Sequence, residues 1–210
     1  SAPTVEKEVV TSDGWSIKFD RFLVHMPLVN VAGKDDLVVA ATSTPQIIDQ
    51  VAPGPKSILL ATVRTARAWE DVSFQIGPAT ADATPLDPVK EADRDAMAKE
   101  GFSIYFEAKA TNAAKAVTKT LKIGIKTDTM FSACEGDLNG ARVPGLIVPA
   151  DGTDTADVAM GGDVLFSDDL ASGILRGESF ATADADNDGL VTTSELHALP
   201  LDVVRTSTGA

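Results

Sequence analysis

The sequence predicts a mainly β chain, with a β-sandwich over residues 1–166 and a small helix-loop-helix module over residues 167–210. Short apolar runs recur at roughly ten-residue spacing through the first part, separated by clusters of Gly, Pro and Asp, as strands of a sandwich do. Beyond Phe166 the spacing of apolar residues changes from a strand period to a helical one.

Trp15–Val24 alternates as a strand, with Trp15, Ile17, Phe19, Arg21 and Leu23 on one face and Ser16, Lys18, Asp20, Phe22 and Val24 on the other. Both faces gain apolar residues along it, which predicts a strand entering a core. Asp13-Gly14 and Gly33-Lys34-Asp35-Asp36 are turn signals. Leu37–Thr42 is the next apolar strand, and Pro45 and Ala52-Pro53-Gly54-Pro55 bracket Gln46–Val51. Ser57–Arg64 and Asp71–Ile76 continue the series. Gly77–Pro88 reads as a loop. Asp87 then suits an N-cap with Pro88 at the first helical position, and Gly101 stops a short charged helix over Val89–Glu100. Strands resume at Phe102–Lys109, Thr118–Lys126, Leu146–Val148 and Asp163–Phe166. Leu170, Ile174 and Ala181 share one helical face, although Gly173 and Gly177 weaken that helix by about 1 kcal/mol each relative to Ala.

Composition narrows the function classes. Hydrophobic residues make up 44% of the 210, enough to bury a core without disulfides or metals. No apolar run approaches the roughly 18 residues of a membrane helix. The net charge is −13, and the chain has 18 Lys and Arg against 31 Asp and Glu, which argues against nucleic acid and anionic membrane surfaces. The one cysteine, Cys134, excludes an intrachain disulfide and a cysteine-built zinc site. The chain opens on Ser-Ala-Pro-Thr, as expected of an exported protein whose leader is gone, and equally of a trimmed piece.

The segment Asp184–Glu195 carries the sharpest chemistry. Asp184, Asp186 and Asp188 stand at positions 1, 3 and 5 of an EF-hand loop, and Gly189 at position 6 allows its sharp reversal. Leu190 at position 7 offers a backbone carbonyl, Thr192 at position 9 a hydroxyl, and Glu195 at position 12 both carboxylate oxygens. Ca²⁺ is a hard ion that takes six to eight such oxygens. At this composition the motif arises by chance roughly once in a thousand such chains. Phe180 before the loop, and Leu196 and Leu199 after it, lie where entering and leaving helices pack, and Pro200 ends the second helix. No second full loop follows the pattern; Asp137-Leu138-Asn139-Gly140 lacks the closing Glu and reads as a turn. An unpaired loop is less preorganised, and extracellular modules bind calcium at about 10⁻⁴–10⁻³ M. Such a site fills outside the cell, and calcium is expected to pin the C-terminal helices to the sandwich.

Other chemistry is thinner. A copper site would recruit His25 with Met26, Met130, Met160 or Cys134, since imidazole and thioether suit that metal. Ordinary strand and core roles explain the same residues. With two histidines, His25 and His197, and no Gly-x-Ser-x-Gly, His-Glu-x-x-His or phosphate-cradling Gly loop, catalysis is not expected. Asp35/Asp36 and Asp168/Asp169 read as solvated acids of turns, and Trp15 and Trp69 as core or edge anchors.

Several motifs together resemble the MbnP-like periplasmic proteins, partners of di-haem enzymes in the so-called metallo-mystery pairs. They are Phe19–Val31 as a strand, Ile47-Ile48-Asp49, Ser57-Ile58-Leu59-Leu60, Val72-Ser73-Phe74-Gln75-Ile76-Gly77, and Met97 shortly before Gly101-Phe102. The resemblance spans roughly Phe19 to Phe166. It implies an immunoglobulin-like sandwich, export to the periplasm or cell surface, and copper bound by the sandwich. A family copper site with a modified tryptophan does not carry over, because histidines are too few and neither Trp15 nor Trp69 sits in a matching motif.

The chain is therefore expected to be an exported, non-enzymatic calcium-binding sandwich with an unidentified protein partner. The alternatives are a periplasmic copper or redox partner of a di-haem enzyme, and a self-assembling surface or filament subunit that pairs through edges such as Val5–Thr11.

Overall fold

Apolar alternation and Pro/Gly punctuation divide the chain into short strands. The computed structural model describes residues 8–32, 38–42, 44–54, 56–62, 67–69, 71–138, 140–148, 161–167 and 174–199. In chain order come β1 (Glu8–Val10), β2 (Ser16–Met26), β3 (Leu28–Ala32), β4 (Val38–Ala41) and β5 (Gln46–Asp49). After them come β6 (Arg67–Trp69), β7 (Asp71–Ile76), β8 (Thr84–Pro85) and helix α1 (Glu91–Glu100). Strands β9 (Ile104–Asn112), β10 (Val117–Ile125), β11 (Thr129–Phe131), β12 (Glu135–Leu138), β13 (Ala141–Pro144) and β14 (Leu146–Val148) follow. A 3-10 turn at Gly162–Phe166, α2 (Glu178–Thr182), β15 (Leu190–Thr192) and α3 (Thr193–Ala198) complete the described elements.

The molecule is mainly β. The larger sheet has the order β15-β10-β9-β2-β5-β8 with β1 also on β2, and the second has the order β11-β7-β3-β4. One core takes residues from both: Phe22, Val24 and Met26 of β2, Phe106 of β9 and Leu121 of β10 meet Ile76 of β7, with Val29 and Phe74 packed against them. Two small ribbons, β12-β13 and β14-β6, lie outside these sheets.

Strand β2 organises this arrangement. Phe19 pairs with Ala108 and Arg21 with Glu107, so Asp20 is an extra residue without a cross-strand mate. Such a bulge reverses the inside-outside alternation. Trp15, Ile17 and Phe19 therefore share the main core with Phe22, Val24 and Met26, while Leu23 joins a second cluster with Ile47, Ala79, Ala83, Val89 and Met97. The apolar character of both faces has two causes: the bulge, and a cover over the outer face built from α1 and the 77–90 loop. An ion pair at 2.5 Å between Arg21 and Asp93 ties α1 to β2.

Several expectations are corrected. Phe19–Val31 is two strands in different sheets, because Pro27 ends β2 and the chain crosses to β3. Helix α1 begins at Glu91, with Lys90 at the N-cap, and the Asp87–Pro88 peptide is cis. The capping carboxylate is that of Asp93, which accepts from Lys90 N at 3.0 Å, while Val89 plugs the outer cluster. Gly101 does stop the helix, in the left-handed region at φ 69°. Ser57–Arg64 does not form a strand over its described residues. Ile58 packs against the main core, its carbonyl accepts from Gln46 Nε2, and Leu60 is exposed. Asp163–Phe166 is a 3-10 turn, which drops Phe166 onto Phe19 and Phe106. The helical face expected of Leu170, Ile174 and Ala181 shrinks to the five residues of α2: Ile174 is exposed before it, and Leu170 lies outside the described residues. Of Val5–Thr11, the described part forms β1, which pairs with β2 and leaves Val10 exposed.

His25 is fully buried on the outer face of β2. Its Nδ1 donates to Gly77 O at 2.8 Å, and its Nε2 has no partner among the described residues. Burial lowers its pKa below the ordinary 6.5, with the Gly77 bond and Asp82 opposing. Protonation would bury a charge with no acceptor, so the unfolded chain binds the proton more readily and stability rises with pH through the window below 6.5. We predict that urea unfolding becomes easier on acidification from pH 7 to 5.5, with this site adding a slope of up to about 1.4 kcal/mol per pH unit. His25→Leu should flatten that part of the profile.

Candidate metal centre

Asp184 opens the loop directly after α2, beside the buried Ala183. Asn187 and Gly189 adopt positive φ of 60° and 85°, values that Asn tolerates and Gly adopts freely. This double reversal turns the following amides back onto the acids. Asp188 N donates to Asp184 Oδ1 at 3.1 Å and Asp186 Oδ1 at 3.2 Å, Gly189 N to Asp184 Oδ2 at 3.0 Å, and Leu190 N to Asp188 Oδ1 at 2.7 Å. One carboxylate oxygen from each of Asp184, Asp186 and Asp188 lies within 4.8 Å of the others. Three like charges this close repel one another, and a hard cation relieves the repulsion.

Thr192 and Glu195 are held to each other instead. Thr192 is the N-cap of α3, its Oγ1 accepts from Glu195 N at 3.3 Å, and Glu195 Oε2 accepts from Thr192 N and Oγ1 at 2.8 Å each. This capping box fixes Glu195 at the start of the helix. The structure thus gathers Asp184, Asp186 and Asp188 and keeps Thr192 and Glu195 adjacent as a second pair. Leu190 joins the two halves at the start of β15.

Strand β15 pairs in parallel with β10, Thr120 opposite Leu190, Leu121 opposite Val191 and Lys122 opposite Thr192. Val191, at loop position 8, is fully buried in the main core. Thr120 N donates to Gly189 O at 2.8 Å, and Gly124 N donates to Thr193 Oγ1 at 2.7 Å. The contact expected from a second loop is supplied by the sheet edge.

The approach to the loop is tied down equally firmly. Both Asp13 carboxylate oxygens accept from Gly177 N at 3.0 Å, and Oδ2 accepts from Glu178 N at 2.9 Å, so a turn of the first hairpin caps α2 from the far end of the chain. Burial alone would raise the Asp13 carboxyl, but the bonds from Thr11, Gly177 and Glu178 outweigh it and hold it below the ordinary carboxylate value. Glu178 Oε2 accepts from Trp15 Nε1 at 2.8 Å and Lys115 Nζ at 2.7 Å, and the Lys115 bond leads the causes that lower its pKa. A Cβ on Gly177 would meet Trp15 at 2.8 Å, so this close approach requires glycine. Phe180, Leu196 and Leu199 pack against the main core, and Phe180 lies 4.8 Å from Phe166 between ring centroids.

Lys119 of β10 bonds Asp184 Oδ2. That bond, joined by those from Gly189 and Asp188, holds the Asp184 carboxyl below its ordinary value. Asp13, Lys115, Lys119, Glu178 and Thr193 all escaped the motif reading. Lys119 did leave a sequence signal, since it shares its alternation face with Leu121 and Ile123.

Among the described residues the copper candidates lie on different faces and strands. His25 faces the outer cluster while Met26 lies in the main core. Met130 is exposed on β11, and Met160 lies outside the described residues. Burial and the Asp71 carboxylate push the Cys134 thiol up, against a reactive thiolate. His197 is exposed in the last turn of α3. Asp137–Gly140 falls at the turn between β12 and β13, with Asn139 outside the described residues. Among the described residues, the three aspartates are the gathering of three or more acid, His or Cys side chains with metal-binding spacing. No family model matches the chain, and neither a curated protein nor a solved structure matches it.

Because Asp13 caps a five-residue helix, Asp13→Ala should lower the unfolding free energy by about 1–2 kcal/mol in urea, and Asp13→Asn by less. The Asp13 contribution should be present above the ordinary carboxylate value of 3.8 and vanish as pH falls through its depressed folded value.

Proposed function

We propose that this chain is an exported, non-enzymatic calcium-binding protein in which one EF-hand loop, Asp184–Glu195, staples the C-terminal helices to an immunoglobulin-like sandwich. The observation that carries the reading is the convergence of Asp184, Asp186 and Asp188 oxygens within 4.8 Å, in a loop that matches the motif at every ligand position. The donors are hard oxygens, which suit Ca²⁺ and not a soft metal. Two sheets, the second antiparallel and the larger one antiparallel apart from the β10-β15 and β5-β8 pairs, share one core and support the sandwich part of the reading.

Bound calcium supplies a divalent charge that neutralises the clustered carboxylates and links the two halves of the loop. The residues do the rest. Asp184, Asp186 and Asp188 would hold the ion from the first half, and the Leu190 carbonyl and Thr192 from the second. Glu195, placed beside Thr192 at the start of α3, would supply the remaining carboxylate. Because β15 is already hydrogen-bonded to β10, closing the loop tightens both helices against the sheet edge. The acidic surface, at a net charge of −13, suits a cation-rich exterior, where an affinity of about 10⁻⁴–10⁻³ M is sufficient. The work of such a protein is to bind a protein partner or build a surface.

Calorimetric titration with CaCl₂ should give one site per chain in that affinity range. At calcium tenfold above Kd the folded state gains about 1.4 kcal/mol, so EGTA should lower Tm by about 3–6 °C. Glu195→Gln should weaken binding more than about tenfold by removing a charge and a bidentate ligand. Equal melting temperatures in EGTA and in millimolar calcium would sink the staple.

A further inference from the structure

Side chains of β10 at Val117, Lys119, Leu121 and Ile123 alternate onto one face. Leu121 and Ile123 are buried in the main core and Val117 packs against it. Lys119 stands in that row opposite Ala110, which is also core, and its side chain is only 15% exposed. An ammonium in this position loses most of its hydration and needs a charged partner. Its partner is Asp184, whose side chain has no exposed surface and which stands at position 1 of the loop. The β10-β15 register makes this meeting possible: Thr120 pairs with Leu190 and its amide bonds Gly189 O, which lays the start of the loop over Lys119.

A lysine is a poor choice for the sandwich alone, since a large apolar side chain fills such a core position at equal or lower cost. Its service is to the loop. We propose that Lys119 is the resident cation of the loop, which calcium must displace, so that strand β10 sets the affinity of the site. This inference rests on the calcium reading of Asp184–Glu195. The Asp184 carboxylate takes three donors, from Lys119, Gly189 and Asp188. The ammonium offsets one of the three crowded negative charges and keeps the loop folded against the sheet. Calcium entering at Asp184 expels that ammonium toward solvent and works against its charge thereafter. The tethered cation stabilises the metal-free state and weakens the loaded one, which places the site in the weak-binding range.

The test compares wild type with Lys119→Met, of similar length but uncharged, and Lys119→Arg, which keeps the charge. Each is titrated with CaCl₂ by calorimetry and melted in EGTA. Lys119→Met should bind calcium about tenfold more tightly or better while melting at a lower temperature without it. Lys119→Arg should stay within about threefold of wild type. A purely structural lysine would give the opposite sign, with stability and affinity falling together. If Lys119→Met does not fold in EGTA, Lys119→Gln carries the same comparison. Calcium binding by wild type with no tightening in the folded neutral variants overturns the displaced-cation inference and leaves the calcium reading standing. No binding by wild type or any variant overturns both.

Discussion

The parallel pairing of β15 with β10 is the constraint on which the C-terminal part of the molecule depends. It is short, joining Leu190, Val191 and Thr192 to Thr120, Leu121 and Lys122. Yet it puts Val191 into the main core and brings Gly189 O to Thr120 N. It also carries Thr193 to Gly124 and Asp184 to Lys119. Strand β10 is fixed along its length by antiparallel pairing with β9 from Val117 to Ile125. Anything aligned on its free edge inherits that rigidity. Helices of five and six residues are far too short to persist alone in water. Their conformations are imposed by what they dock against.

Docking is two-sided. One anchor is apolar and runs Phe19, Phe106, Phe166, Phe180 as a chain of ring contacts from the middle of the larger sheet to α2. The other is polar and centres on Asp13, Trp15 and Lys115, which hold the first turn of α2 by its amides and by Glu178. Burial of rings gives most of the free energy, about 1.5–3 kcal/mol for each fully buried Phe. The polar contacts fix orientation, because hydrogen bonds are directional where packing is not. Gly177 sits where both anchors meet, and the closeness of Trp15 explains a glycine inside what would otherwise be a poor helix start. The glycines that weaken the helical pattern in sequence are thus partly the signature of close docking.

Local regularities were legible in the sequence, and long-range ones were not. Asp71–Ile76 alternates cleanly up to the loop that opens at Gly77 and forms β7 with those bounds. The loop positions from Asp184 to Gly189 follow from ligand chemistry and a required reversal, and Asp184, Asp186 and Asp188 do gather. Strand β2 resisted, because a bulge at Asp20 changes which face each residue takes, and no residue type announces a bulge of this kind. Ser57–Arg64 misled for the opposite reason. Its apolar residues suggest a strand, but Ile58 has its carbonyl satisfied by a Gln46 side chain instead of a neighbouring strand. The capping of α2 by Asp13 spans 164 residues of sequence, and no window of local pattern reaches that far.

The proposed calcium loop has no second such loop beside it among the described residues, and this raises a physical question, since paired loops steady each other through their position-8 residues. Here the β10 edge of the larger sheet takes over that part. Val191 finds in Leu121 a neighbour as buried as a partner loop would offer, and one whose backbone is already fixed by β9. A partner loop would move when its own ion left, whereas β10 is held by its pairing with β9 from Val117 to Ile125. The sheet edge also contributes what a partner loop does not, a cationic side chain on the first aspartate. Preorganisation by a fixed edge would tighten a site, and a resident ammonium would loosen it. These two effects act through one strand, one through its amides and the other through a single lysine. In the proposed design the backbone of β10 aligns the loop, and the charge at position 119 acts on both the stability of the loop and the entry of calcium.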